Sequence, residues 1–467
     1  MKMWSGRFRQ PLDPEFERWQ RSFDFDRRLL KYEIAASSAH ARALKEAGII
    51  TSDQLISILQ GLDNIRELAA TSPEFLDDPE AEDVHHFVEK QLVKLIGDLG
   101  YSLHSGRSRN EQIATDLRLY VRAAVDQLRA SLTDLAQVLV SRAEQAGDAV
   151  MPAYTHLQRA EPVLVSHWLL GYVEMFLRDT DRLGDCRKRL NLCPLGSGAV
   201  AGATLPLDRR KMASDLGFDG FTANSIDATS DRDFALEFVN SLSLLVLHLS
   251  RWAEEMILFS SQEFGFVHLP ESYSTGSSAM PQKKNPDLLE LTRSKAARVI
   301  GNATSLLVTL KGLPLAYNKD LQETQQPLFE ASDTMMALLP LVTGFMKDVD
   351  LDLERMQRAA QSGFLNAWAA ATYLVQRGVP SRLAHETIGK AVRLCIERGC
   401  ELQDLPLDEL RGLNQAFNHD FFGCLKLNSV LASHDVPGGT APSRVRQAIA
   451  DAKQKLESIV EDVHANA

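Results

Sequence analysis

Between Arg107 and Ala146 the chain contains neither glycine nor proline. Within that stretch Leu117, Val121, Val125, Leu128, Leu132, Leu135 and Leu139 recur at steps of four and three, the seam spacing of a long packed helix. A second uninterrupted stretch runs from Asp231 to Phe264, where a helix would be roughly 50 Å long at the standard rise. It is apolar almost all round between Leu242 and Leu249, so it is expected to be buried on several sides. A third long helix is expected from near Pro162 to about Leu190, and a fourth after Pro286 as far as Leu310, with Gly301 a weak point. Such helices exceed the globular average, and strand signals are few and short. The expectation is a mainly α fold built on an elongated bundle, with wide apolar faces that favour association with copies of the same chain.

Turn signals divide the chain into three expected domains: an N-terminal mixed or helical domain (1–106), a central long-helix bundle (107–355) and a C-terminal helical domain (356–467). The last contains shorter helices and turns at Arg377–Arg382 and Val436–Pro442. There is no internal repeat and no low-complexity tract.

The formal net charge is −11 over 467 residues, which argues against a general nucleic-acid or anionic-membrane binder. An anionic small molecule would need positive charge concentrated locally. Five cysteines, none in a C-x-x-C pair, suit reduced and mostly buried thiols. The N-terminus has no apolar signal-peptide core, and the run Leu242–Leu249 is too short to span a bilayer, so a cytoplasmic location is expected.

Local positive charge does occur in "TGSSAMPQKKNPD", Thr275 to Asp287. Gly276 frees the backbone, Ser277 and Ser278 supply hydroxyls, and Lys283 and Lys284 bring two cations together. Pro286 suits the first turn of the following helix, and Asn285 lies at its start, where free N–H groups favour an anion. A serine there could act as a base if a nearby ammonium or N–H donors lowered its pKa. The same composition also suits a solvated surface loop.

In "HSGRSRNEQ", His104 to Gln112, Arg107 and Arg109 flank Ser108, with Asn110 beside them at the mouth of the first long helix. Guanidinium forks and helix-start N–H groups suit a carboxylate or phosphate. Arginine at a helix N-terminus opposes the dipole, a cost that a bound anion or acidic neighbours would offset. Thr155 and His156 of "YTHLQRAEP" precede the third helix, and His156 could be an acid or base, or only a satisfied loop histidine. Glu290, five residues past Asn285, could orient a histidine or be a surface carboxylate. Tyr317, Lys319 and Gln322 lie in "AYNKDLQETQQP" between long helices. "LGSGAVAG", Leu195 to Gly202, imitates a phosphate-binding loop, but no β-strand run precedes it and no ribose-binding acid follows. His85 and His86 are adjacent but carry no metal-site spacing.

Together these stretches resemble the fumarase/aspartase superfamily. The "QKKN" form of the serine loop resembles its argininosuccinate lyase family, as do "HSGRSRNEQ", "THLQRAEP", "AEDVH" (Ala81 to His85), "YNKDLQE", "GGTAP" and "WSGRF" (Trp4 to Phe8). The resemblance runs from near residue 4 to near residue 445. It implies a three-domain, mainly α, fumarase/aspartase-like subunit with a long central helix bundle. Four subunits would form a homotetramer, with each active site built from three chains. The implied reaction is reversible cleavage of argininosuccinate into arginine and fumarate, with no metal or organic cofactor and no nucleic-acid or membrane partner.

The resemblance also assigns roles. Ser277 is the general base on a loop that closes over substrate, and Lys283 and Asn285 stabilise the aci-carboxylate. His156, held by Glu290, protonates the departing nitrogen. Thr155, Ser108, Arg109 and Asn110 hold the carboxylates, and Tyr317, Gln322, Ser22 and Asp83 address the arginine half. The chain departs from the family pattern at Ser5, Ser105, Glu111, Ala369 and Ser433. It also has Gln325 where a substrate-contacting lysine is usual. A sister lyase acting on adenylosuccinate or aspartate, or a non-catalytic structural protein of the same fold, would be the alternatives. The paired lysines speak against the first and the complete set of site residues against the second.

Overall fold

The computed structural model describes residues 10–466, so Ser5 and the "WSGRF" stretch lie outside the described residues. Six long helices dominate the described residues: Arg109–Ala146, Val165–Leu190, Asp233–Ser260, Asp287–Leu310, Gln325–Asp348 and Pro442–Asn466. Grouped by contact, the chain forms two compact units, each assembled from stretches distant in sequence.

The first helix behaves as its seam requires, with Leu117, Val121, Val125, Leu128, Leu132, Leu135 and Leu139 all fully buried. It spans 38 residues and opens at Arg109, two residues later than its composition alone would place it. The reason is a cap at Ser108: its Oγ accepts from Asn110 N–H at 3.2 Å, and Glu111 Oε1 accepts from Ser108 N–H at 3.1 Å. The S-x-x-E spacing in "SRNE" is the local signal for that start. The Asp233–Ser260 helix is long and apolar enough to cross a membrane by length and composition, although half of that window is buried inside the protein. Leu242, Leu245, Val246, Leu249 and Trp252 pack into the core, while Leu244 and Leu247 are each 42% exposed. The all-round burial expected for Leu242–Leu249 is therefore not complete within one chain.

One unit comprises residues 1–127, 182–243 and 297–335. Its shorter helices Leu30–Glu46, Ser52–Thr71 and Val84–Ile96 pack around Ile34, Ile58, Leu62, Phe87 and Leu92. Gly61 allows the closest of these approaches, because a Cβ there would sit 2.5 Å from Leu92 Cδ1. A second buried cluster joins Ala36, Ala39 and Ala43 to Leu119, Cys193, Leu195, Met212 and Phe218.

The other unit comprises residues 128–181, 244–296 and 336–467. Its C-terminal helices, among them Ala367–Gln376 and Ser381–Arg398, enclose a core of Tyr373, Leu374, Ile388, Cys395, Leu410, Phe417 and Phe421.

Every sheet among the described residues is a two-stranded pair. The longest is the antiparallel hairpin Val150–Thr155 with Gln158–Leu164, which corrects the expectation of a helix opening near Pro162. That helix begins at Val165, and Pro162 sits within the second strand, paired with Pro152. Neither proline can donate to a ladder, so a hairpin with two of them is poorly marked in sequence. All five cysteines are free, and burial pushes the Cys186 and Cys193 thiols up to about 12, leaving them unreactive.

Candidate active site

The first unit gathers the residues expected around one end of a small polar ligand. Asp83 caps the Val84–Ile96 helix, its Oδ1 accepting from His86 N–H at 2.7 Å. Its other oxygen faces Arg109 Nη1 at 3.0 Å, and Glu82 Oε2 meets the same nitrogen at 3.1 Å. Burial works against the Asp83 carboxylate, but Arg109 and His85 outweigh it and hold it below the usual carboxylate range. Ser22 is tied to this segment because Ser22 N–H and Phe23 N–H both donate to the Glu82 carbonyl, at 2.9 and 3.2 Å. Gln322, buried, donates through Nε2 to the Gln20 carbonyl at 3.1 Å. Tyr317 is half-buried, and burial together with the negative charge of Asp83 raises its phenol above the ordinary value even though Arg232 opposes the shift.

Both arginines of the "SGRSRN" stretch are thus paired with carboxylates. Arg107 donates to Ser37 Oγ at 2.9 Å and lies 3.8 Å from Glu33, which offsets the unfavourable position of these cations at a helix start. Asn110 donates from Nδ2 to the Ala199 carbonyl at 3.3 Å, and Gly198 N–H donates to Glu111 Oε2 at 3.0 Å. The glycine-rich stretch set aside as a false phosphate loop therefore packs against the Ser108–Glu111 turn. A two-residue strand, Leu192–Cys193, does precede it, paired only with Gly220–Phe221. What sequence spacing could not reveal is that this loop lies beside the expected carboxylate-binding residues.

The second unit carries the residues expected to do proton chemistry. His156 and Leu157 are the two central residues of the hairpin turn closed by the Thr155–Gln158 pair, with φ of 54° and 57°. A two-residue hairpin turn needs positive φ at both places, normally met by Asn or Gly, and each side-chain-bearing residue there costs roughly 1–2 kcal/mol. The turn is held from outside. Tyr154 packs against Phe259 and Phe264 at 5.9 and 5.4 Å, and Arg159 donates to the Ala359 carbonyl at 3.1 Å. This strain presents Thr155 and His156, both exposed, at the tip of a rigid arm.

The serine loop is pinned at its base. Thr275–Gly276 pairs with Lys284–Asn285, and Asp287 Oδ2 accepts from Thr275 Oγ1 at 2.6 Å. Asn285 Nδ2 reaches back to Thr275 Oγ1 at 3.3 Å, so it braces the hairpin rather than capping the next helix. Ser277 Oγ accepts from two backbone N–H groups, those of Ala279 and Met280, at 3.2 and 3.1 Å. The two lysines divide: Lys284 Nζ donates to the Leu269 carbonyl at 2.7 Å, whereas the exposed Lys283 ammonium has no partner among the described residues. His156 and Glu290 are both exposed, and no hydrogen bond or ion pair joins them within the chain.

One buried cluster has the residue types of a metal site. Glu33, His85 and Asp116, from three helices, offer ligand atoms within 4.8 Å of one another. His85 Nδ1 lies 2.8 Å from Glu33 and 3.8 Å from Asp116, while Gln112 and Ser37 donate to Glu33 at 3.0 and 2.6 Å. Burial and the Glu33 charge push Asp116 well above the carboxylate range, so it is a neutral acid. Glu33 stays anionic despite burial because His85 and Arg107 face it. The adjacency of His85 and His86 held no hint of this cluster, because the partners come from elsewhere in the chain.

His40 supports the same region, its Nε2 meeting the Ser105 carbonyl at 3.0 Å. A carbonyl only accepts, so Nε2 carries the proton. Burial first, and then the Arg107 charge, lowers its pKa from the ordinary 6.5 to about 3. The unfolded chain therefore takes up a proton below 6.5 that the folded chain refuses, and stability present above 6.5 is lost as pH falls toward 3. His40→Gln keeps a donor for Ser105 and removes this titration. Thermal melts between pH 6.5 and 4 should show a shallower loss, by close to one proton, or about 1.4 kcal/mol per pH unit.

Comparison with known proteins places this geometry. Residues 6–301 match a family model described as lyase, and residues 364–432 one described as argininosuccinate lyase C-terminal. The chain is 58% identical to the argininosuccinate lyase of Koribacter versatilis (strain Ellin345) over 467 residues, all of both chains. The chain belongs to the argininosuccinate lyase family. The argininosuccinate lyase of Acidobacterium capsulatum is likewise 58% identical over 98% of this chain and 96% of its own. Among solved structures, an EDDS lyase variant with bound fumarate superposes with a TM-score of 0.85 at 27% identity, over 98% of this chain and 93% of that one. The mainly α, fumarase-like fold is thus shared with superfamily lyases. Against the argininosuccinate lyase pattern, Gln325 is only 3% exposed and its Oε1 has no hydrogen-bond partner among the described residues.

Proposed function

We propose that the protein cleaves argininosuccinate reversibly into arginine and fumarate by general acid/base catalysis, the last step of arginine biosynthesis. The proton to be removed lies beside a carboxylate and is weakly acidic, so the base must be strong and the developing dianion must be met by fixed positive charge. Ser277 is the base. The observation that carries this assignment is the pair of N–H groups aimed at its Oγ, since donors of this kind stabilise an alkoxide and lower the hydroxyl pKa.

Lys283, whose ammonium has no partner among the described residues, and Asn285 stabilise the aci-carboxylate. His156 protonates the guanidino nitrogen as the carbon–nitrogen bond breaks, and Glu290 of another subunit orients it. Thr155, Ser108, Arg109 and Asn110 hold the carboxylates, while Ser22, Asp83, Tyr317 and Gln322 address the arginine half. Closure of the 277–283 loop excludes water.

The segments 1–106, 107–355 and 356–467 contribute as domains of a cytoplasmic homotetramer. Support for association comes from apolar side chains exposed on the long helices: Leu244, Leu247, Leu291, Ile300, Leu307, Val308 and Leu341. A site shared between subunits also accounts for the absence of a hydrogen bond or ion pair between His156 and Glu290 within one chain.

The test is a parallel assay of fumarate release, by ultraviolet absorbance, from argininosuccinate, adenylosuccinate and aspartate. Release from argininosuccinate alone is expected. Release from another of the three would move the chain to a sister activity, and release from none would overturn the enzymatic reading. Gln325→Lys restores the usual cation, and we expect a lower Michaelis constant for argininosuccinate in steady-state kinetics. An unchanged constant would mean that position 325 no longer faces substrate.

A further inference from the structure

We propose that Asp26 is a positioning residue that sets the hydrogen-bond polarity of Ser22, and through it the affinity for the cationic half of the substrate. The proposal rests on the reading of Ser22 as a substrate contact. Asp26 is 1% exposed and bridges two segments that lie far apart in sequence. Its Oδ1 accepts from Val84 N–H at 3.0 Å, and its Oδ2 meets Ser22 Oγ at 2.6 Å. The first bond has a fixed direction, because a backbone N–H can only donate. The second can run either way, because a hydroxyl both donates and accepts.

The protonation state of Asp26 therefore decides what Ser22 offers a ligand. An ionised Asp26 consumes the Ser22 proton, and the hydroxyl presents only lone pairs, which suit the N–H groups of a guanidinium or ammonium. A protonated Asp26 must keep Oδ1 as acceptor for Val84, so its proton resides on Oδ2 and donates to Ser22. The hydroxyl hydrogen then turns toward the ligand and repels the same cationic groups.

Titration falls in a useful range. Burial first, then the charge of Asp83, raises Asp26 from the ordinary 3.8 to about 7, against the opposing pull of Ser22, His85 and Val84. Asp116 and Tyr317 are the other titratable groups that sense Asp26. As pH rises through about 7, Asp26 ionises and the acceptor form of Ser22 is populated, so the Michaelis constant falls.

Asp26→Asn locks the donor form. Its carbonyl oxygen must serve Val84, which places the amide nitrogen on Ser22. Above pH 8 this variant should show a Michaelis constant for argininosuccinate raised roughly tenfold, with kcat changed much less. Its constant should no longer step near pH 7. Ser22→Ala, with Asp26 intact, should raise the constant and also lose the step.

A Ser22→Ala enzyme with the wild-type constant would overturn the reading of Ser22 as a substrate contact. A Ser22→Ala enzyme with a raised constant that still steps near pH 7 would leave that reading intact and overturn the role of Asp26, since charge alone would then explain the step. A wild-type step that persists in Asp26→Asn would overturn it equally. If Asp26→Asn fails to fold, judged by far-ultraviolet circular dichroism, the comparison of wild type with Ser22→Ala decides alone.

Discussion

Replacing Ser277 by alanine should lower kcat by about 10²–10⁴-fold, the range for loss of a positioned general base. The Michaelis constant should change only a few-fold, because the carboxylate-holding residues are untouched. Stability should be unaffected: the N–H groups of Ala279 and Met280 that lose their acceptor belong to exposed residues and can turn to water. Steady-state fumarate release, with a thermal melt as control, checks both. Near wild-type turnover would transfer the base role away from Ser277, with the exposed His156 as the next candidate.

The second large effect is expected at Arg109. Its guanidinium is shared by Glu82 and Asp83 at 3.1 and 3.0 Å, and these carboxylates flank the backbone that holds Ser22. Arg109→Leu leaves two half-buried carboxylates without that partner. The cost to folding is about 1–3 kcal/mol, a drop of roughly 1–3 °C in melting temperature for a chain of this length. Asp83, relieved of the charge that holds its pKa down, should titrate nearer to neutral pH. Because Arg109 is also expected to hold a substrate carboxylate, kcat/KM should fall by more than 100-fold, beyond what the loss of stability explains. Arg109→Lys should recover folding better than activity, since an ammonium supplies charge without the planar fork. Equal recovery of both would assign Arg109 a structural role only.

The two variants test parts of the molecule that differ in how legible they were. The serine loop was readable as a basic turn segment because glycine, proline and paired lysines advertise it locally. Its hairpin base, only two residues long on each side, was not, since two-residue pairings have no periodicity to detect. The His156 turn was misread as a helix approach for a related reason. A turn with positive φ at histidine and leucine is held by Tyr154, Phe259, Phe264 and Arg159, none of which marks a turn in sequence. Conversely, the Ser108 cap was present in the sequence as S-x-x-E and would have set the helix start correctly.

The sequence by itself determined four of the long helices, the first most firmly, because a seven-residue seam leaves only one face to bury and a helix presents that face continuously. It also determined the inventory of reactive groups and, through several motifs in order, the family. The tertiary structure decided which of those groups meet. Asp26 reaches Val84 across 58 positions, and Glu33, His85 and Asp116 converge from three helices. Local spacing carries no record of such encounters, since they depend on how separate helices pack. The protonation states that follow from them are set by burial and by neighbours distant in the chain, so they belong to the folded molecule alone.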